Sequence, residues 1–197
     1  VTNMIDVSDV RFNIVGFSDP SGNTMSTNPP NNYVNTTSDS SKVYIDVSKP
    51  QLESGSIVFT TSNTGNDDDP DLENVLLALD QETIHMDFET NERVETPSVK
   101  INGTETGVSV SKRVDAADVE DSTGKKWRAS YQVNGLTEDV SDVTFEITSF
   151  NDPAGNINTL DSRTTDESTV AKSVKIDVGK PQLEPDSIVF TTSNTAN

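Results

Sequence analysis

Apolar and polar residues alternate with a period of two along much of the chain. Ile84, Met86 and Phe88 alternate with His85, Asp87 and Glu89, and Trp127, Ala129, Tyr131 and Val133 alternate with Arg128, Ser130 and Gln132. Val143, Phe145 and Ile147 flank Thr144 and Glu146, and Val174, Ile176 and Val178 flank Lys175 and Asp177. Successive side chains of a strand point to opposite faces, so each run predicts a half-buried strand. Ser56 to Ser62, Pro97 to Asn102 and Gly107 to Val114 predict three more, and Leu72 to Leu79 fits one short turn of helix. Seven strands with turn residues between them predict an all-β chain with an immunoglobulin-like Greek-key β-sandwich.

The pattern also repeats at long range. Asp6-Val7-Ser8-Asp9-Val10 returns as Asp139-Val140-Ser141-Asp142-Val143, and Ser18-Asp19-Pro20-Ser21-Gly22-Asn23 returns as Asn151-Asp152-Pro153-Ala154-Gly155-Asn156, both at an offset of 139 − 6 = 133. Lys49 to Asn66 matches Lys180 to Asn197 at 15 of 18 positions, at an offset of 180 − 49 = 131. Self-similarity at a fixed period marks a repeat architecture. The phase predicts tandem repeats: the C-terminal part of one in residues 1–48, a complete sandwich in 49–179 and the first strand of another in 180–197. The chain starts at Val1 in mid-pattern, which predicts a fragment or a processed product.

Composition narrows the partners. Lys and Arg number 14 against 33 Asp and Glu, a formal net charge of −19. Such a surface repels phosphate backbones and anionic headgroups, which argues against nucleic-acid partners. No apolar run approaches the roughly 20 residues of a membrane helix, so membrane insertion is not expected. The apolar fraction is only 31%, but its regular placement between turn residues is that of a folded chain. Cysteine is absent, excluding disulfides and thiolate metal sites. His85 is the sole histidine and is expected to face outward, so neither a zinc centre nor a Ser-His-Asp relay has its partners and the chain is not expected to be an enzyme.

Seven stretches carry a family resemblance. Glu82-Thr83-Ile84-His85-Met86-Asp87-Phe88, Asn91-Glu92-Arg93-Val94 and Pro97-Ser98-Val99-Lys100-Ile101-Asn102-Gly103 resemble the first half of a bacterial immunoglobulin-like repeat. Trp127-Arg128-Ala129-Ser130-Tyr131, Val143 to Phe150, Asn151 to Asn156 and Val174-Lys175-Ile176-Asp177 resemble its second half. Such domains form long tandem stalks in large cell-surface adhesins, often stiffened by calcium at domain junctions. The resemblance therefore implies an extracellular, cell-surface or secreted module. Two loops depart from the family, the acidic stretch Asn66 to Asn74 and the long connection Ile157 to Ala171.

Calcium favours several carboxylate and carbonyl oxygens from flexible loops. Asp67, Asp69, Asp71 and Glu73 fall at alternate positions, which fits either a solvated acidic loop or a calcium site. Leu72 and Ala78 stand where an EF-hand needs glycine and a bidentate acid, so an EF-hand is excluded. In a seven-strand sandwich the loops segregate to two poles. That sorting puts Asp177 with the acidic loop and the loop near Thr137 to Asp142 at one pole. It puts Glu89, Asn91, Glu92, Asp152 and Asn156 at the other, beside Asp46 of the preceding repeat. Carboxylates from two domains would then meet at each junction, where a cation relieves their repulsion.

The expected function is structural or adhesive: a stalk or filament of adjacent copies of one repeat, carrying a cell-surface glycan- or protein-binding tip. Two alternatives stand beside it. One is a glycan- or protein-binding module using the 157–171 loop or Tyr33, and the other is a fibre subunit in which residues 180–197 donate a strand to a neighbour.

Overall fold

Ile84, Met86 and Phe88 are fully buried, and across from them so are Trp127 and Ala129. The computed structural model describes residues 6–8, 10–11, 16–24, 39–64, 74–115, 119–159, 161–169 and 171–191. Ten strands lie within these residues: β1 (Val58–Thr61), β2 (Val75–Ala78), β3 (Thr83–Glu89), β4 (Ser98–Ile101), β5 (Val108–Lys112), β6 (Lys126–Gln132), β7 (Phe145–Asn151), β8 (Ile157–Asn158), β9 (Asp161–Arg163) and β10 (Ser173–Ile176). No helix long and apolar enough to cross a membrane occurs among the described residues.

The first sheet has the order β1-β3-β6-β5 and is antiparallel throughout. Its register sets His85 opposite Ser130, Asp87 opposite Arg128 and Glu89 opposite Lys126. The polar members of the alternation therefore share one face, with the apolar members on the other. Opposite them lie β4, β7, β8 and β9, with β4 and β9 both antiparallel to β7. The β10 strand runs parallel to β2 and also pairs with Val140 and Val143 on the approach to β7. Val99, Ile101, Phe145, Ile147, Val174 and Ile176 from this side join Phe59, Ile84 and Phe88 in a single apolar cluster. The Phe59 and Phe145 rings stack across the gap with centroids 3.8 Å apart. The chain is thus all-β, in a sandwich-like arrangement of sheets around one core.

Two expectations change. The stretch Leu72 to Leu79 is no helical turn where it is described: Val75–Ala78 is β2, because pairing with β10 satisfies its backbone while Leu76 and Ala78 enter the core. The connection from Ile157 to Ala171 contains β8 and β9, both paired with β7. Trp127 is buried and its indole N–H donates to the Gly124 carbonyl (3.3 Å). Gly124 has φ of +69°, a conformation that favours glycine, and a Cβ there would meet Arg93 Cγ at 2.9 Å and displace that side chain. His85 lies on the polar face, half-buried, with Nδ1 2.8 Å from Ser130 Oγ. Burial first, and then the Arg128 charge, lower its pKa.

Candidate metal centre at the linker

The linker segment that leads into the sandwich, residues 46–52, is tied down by asparagine side chains. Gln51 N–H donates to Asn91 Oδ1 (2.8 Å), and Asn91 N–H returns a bond to the Gln51 carbonyl (2.9 Å). Asn158 Nδ2 donates to the Pro50 carbonyl (2.8 Å), and Asn156 Nδ2 to the Asp46 carbonyl (3.1 Å). Proline has no N–H, so at Pro50 the carbonyl is the one main-chain group that can be held. Pro50 is buried, and Leu52 packs against the core.

Asp152-Pro153-Ala154-Gly155-Asn156 forms a tight turn closed by Gly155 N–H to the Asp152 carbonyl and Asp152 N–H to the Asn156 carbonyl, each 3.1 Å. The Asp152 carboxylate accepts Asn156 N–H at Oδ1 (2.9 Å) and Asn156 Nδ2 at Oδ2 (2.8 Å). Only 1% of Asp152 is exposed. Two donors make a buried carboxylate tolerable without neutralising it.

Asp46 from the linker and Glu92 from the β3–β4 connection meet this carboxylate. One oxygen from each of Asp46, Glu92 and Asp152 lies within 4.8 Å of the others. That is about twice a calcium–oxygen bond of roughly 2.4 Å, the separation of ligands around one ion. The Glu92 carboxyl is held above its usual range, first by burial and then by the charges of Asp46, Asp152 and Asp6, with Lys125 partly offsetting them. Asp6 is drawn in because its carboxylate accepts Val47 N–H (2.8 Å), Ser48 N–H (3.1 Å) and the Ser48 hydroxyl, bonds that also lower its own pKa. Three carboxylates with a hard, all-oxygen donor set suit a calcium-sized cation.

Of the other predicted residues, Asn156 touches this cluster, and the rest lie apart from it or outside the described residues. Glu89 is engaged by Arg113 (2.6 Å) and Lys126 (3.6 Å) on the polar face of the first sheet. These cations compete for the oxygens a metal would need. Asn156 acts mainly as a donor, its amide nitrogen holding Asp152 and Asp46 in place. Asp67, Asp69, Asp71 and Glu73 lie outside the described residues, as does Tyr33.

Asp177 lies where the chain leaves the sandwich, and there the linker geometry recurs. Asp139 Oδ1 accepts Val178 N–H (2.9 Å) and Gly179 N–H (3.1 Å), and Asp177 Oδ1 also accepts Gly179 N–H (3.0 Å). Asp6 Oδ1 treats Val47 and Ser48 in the same way, with Asp46 Oδ1 accepting Ser48 N–H at 3.1 Å. In the sequence Asp6 stands out only as a member of the repeated motif, whereas Asp139 also falls in the 137–142 loop that the sorting of loops to poles sets beside Asp177. The signal for their role was that the motif precedes Asp46 and Asp177 at nearly one spacing, 40 and 38 residues. The sorting of loops to poles already sets Asn91 beside Asp46, but nothing in the local sequence of Asn158 marks its hold on the Pro50 carbonyl. The chain matches no family model, no curated protein and no solved structure.

Proposed function

We propose that this chain is a run of tandem immunoglobulin-like sandwiches that act as an extended, extracellular stalk or adhesive module, with calcium at the junction of consecutive repeats. The observation that carries the reading is the duplicated exit: Asp6 with Asp46 and Asp139 with Asp177 hold their linkers through the same set of hydrogen bonds. The first of these exits presents Asp46 to Glu92 and Asp152 of the following sandwich.

The strand order β1-β3-β6-β5, facing β4, β7 and then β10 with β2, supports the immunoglobulin-like assignment. In that arrangement the chain enters at one pole and leaves at the other, so repeat number converts into reach. Without a cation the clustered carboxylates repel, and the linker is held by amides alone. With calcium bound, both sides of the junction share ligands and the hinge stiffens.

Thermal unfolding and small-angle X-ray scattering in calcium and in chelator test this. Calcium at about 100 times its Kd would stabilise the folded chain by about 2.7 kcal/mol. The expected result is a higher Tm and a more extended, narrower distribution of interatomic distances in calcium. A melt and a scattering profile indifferent to millimolar calcium would remove the junction role.

A further inference from the structure

We propose that the loop between β9 and β10 is an edge guard, which keeps β1 from accepting the exposed segment 187–191 of a second copy of this chain. Among the described residues the first sheet ends on β1, which pairs there with β3 alone. In that ladder Val58 and Thr60 direct their backbone groups to β3, so Ile57 and Phe59 direct theirs to the open side. A bare row of this kind is a template for another strand.

Here the row is occupied by Asp166 and Glu167 of the β9–β10 loop. Glu167 N–H donates to the Ile57 carbonyl (2.8 Å), while Ile57 N–H donates to Glu167 Oε2 (3.2 Å). This is the reciprocal exchange of a strand pair, made by one residue. Phe59 N–H donates to Asp166 Oδ2 (3.2 Å). The other Asp166 oxygen accepts Ser168 N–H (3.1 Å), the Ser168 hydroxyl (2.7 Å) and Lys172 N–H (2.9 Å). Asp166 is only 5% exposed, and Arg163 Nη1 fixes Glu167 Oε1 at 3.0 Å. Beyond Phe59 the edge passes to β2, where the Thr61 hydroxyl donates to the Leu77 carbonyl (3.1 Å). Two carboxylates thus sit where an incoming strand would lie, and each would have to be stripped of its donors to admit one.

The chain itself supplies the strand to be excluded. Ser187-Ile188-Val189-Phe190-Thr191 has the sequence of Ser56-Ile57-Val58-Phe59-Thr60, rich in β-branched and aromatic residues and uncharged. Ile188, Val189 and Phe190 are exposed, so the segment is free to pair. A second copy is therefore the partner that the guard must refuse.

The test is the full chain carrying Asp166→Ala with Glu167→Ala, compared with the parent chain by analytical ultracentrifugation and by hydrogen exchange. We expect the double variant to associate at least about tenfold more tightly, with the Ile57 and Phe59 amides exchanging about ten- to hundredfold faster in its monomer. Adding Phe190→Asp should return association to the parent level. A folded double variant that associates no more than the parent overturns the proposal, and so does association that survives Phe190→Asp. Should the double variant not fold, exchange in the parent chain decides. Ile57 and Phe59 amides protected like those of Val58 and Thr60 support the guard, and rapid exchange of both overturns it.

Discussion

Residues 56–60 and 187–191 share one sequence and differ in everything else. Ile57 and Phe59 are 1% and 2% exposed, whereas Ile188 and Phe190 are 62% and 94% exposed. Val58–Thr61 is strand β1, and residues 187–191 form no strand. Propensity and alternation are identical in the two copies, so neither suffices to make a strand. The difference is the partner: β3 supplies the ladder, Phe145 supplies the ring against Phe59, and the β9–β10 loop closes the outer edge. Strand propensity is a fitness for a pleated, half-buried surface, and it is expressed only where that surface exists.

The comparison breaks most visibly at the phenylalanines. Phe59→Ala removes a stacked ring from a closed core and should destabilise the sandwich by about 3–5 kcal/mol. Phe190→Ala removes a ring from solvent and should leave the sandwich within about 0.5 kcal/mol of the parent. Urea unfolding followed by Trp127 fluorescence reads both, because Trp127 lies in the core that Phe59 helps to build. Equal losses at the two positions would mean that residues 187–191 also pack on the sandwich.

A second pair of like sequences differs less. Asp19-Pro20-Ser21-Gly22-Asn23 folds into the same turn as Asp152 to Asn156, with Asn23 N–H on Asp19 Oδ1 (2.9 Å) and Asn23 Nδ2 on Asp19 Oδ2 (2.7 Å). This turn forms in both places because Pro, Gly and Asn chemistry is local. What changes is burial, since the Asp46 carbonyl reaches Asn156 while Asp19 and Asn23 remain exposed. Asn156→Ala leaves a buried Asp152 oxygen without its donor and should cost about 1–3 kcal/mol. Asn23→Ala should cost the sandwich less than about 0.5 kcal/mol, by the same unfolding measurement.

The two pairs explain what could be seen in the sequence. Period-two alternation located β3, β6, β7 and β10 within a few residues, because each has one face on the core and one on solvent. It failed at Val75–Ala78, an unbroken apolar run whose strand character comes from β10, a segment roughly a hundred residues away. It also passed over β8 and β9, whose pairing to β7 is set by tertiary contact and not by pattern. At the linker, placing loops at poles brought Asp46, Glu92 and Asp152 to one end, but it added Glu89, which Arg113 and Lys126 engage instead. Cross-strand ion pairs of that kind depend on register, which the sequence alone leaves open.

The smallest expected effect separates the two linkers by charge. Glu92 has its carboxyl raised by burial and by three neighbouring carboxylates, so ionising it opposes folding. The sign follows: the penalty is absent below the unfolded value near 4.5 and grows as pH rises through the higher folded value. Glu92→Gln removes the penalty, so in calcium-free buffer its Tm should exceed that of the parent at pH 7 and converge with it in acid. The gain is small because Glu92 is only half-buried and solvent screens it. Calcium should reverse the order, stabilising the parent more than the variant, since the carboxylate that repels its neighbours is the one that would bind the ion. If Glu92→Gln leaves the pH profile of Tm unchanged and calcium moves both proteins equally, Asp46, Glu92 and Asp152 are neighbours without being a site.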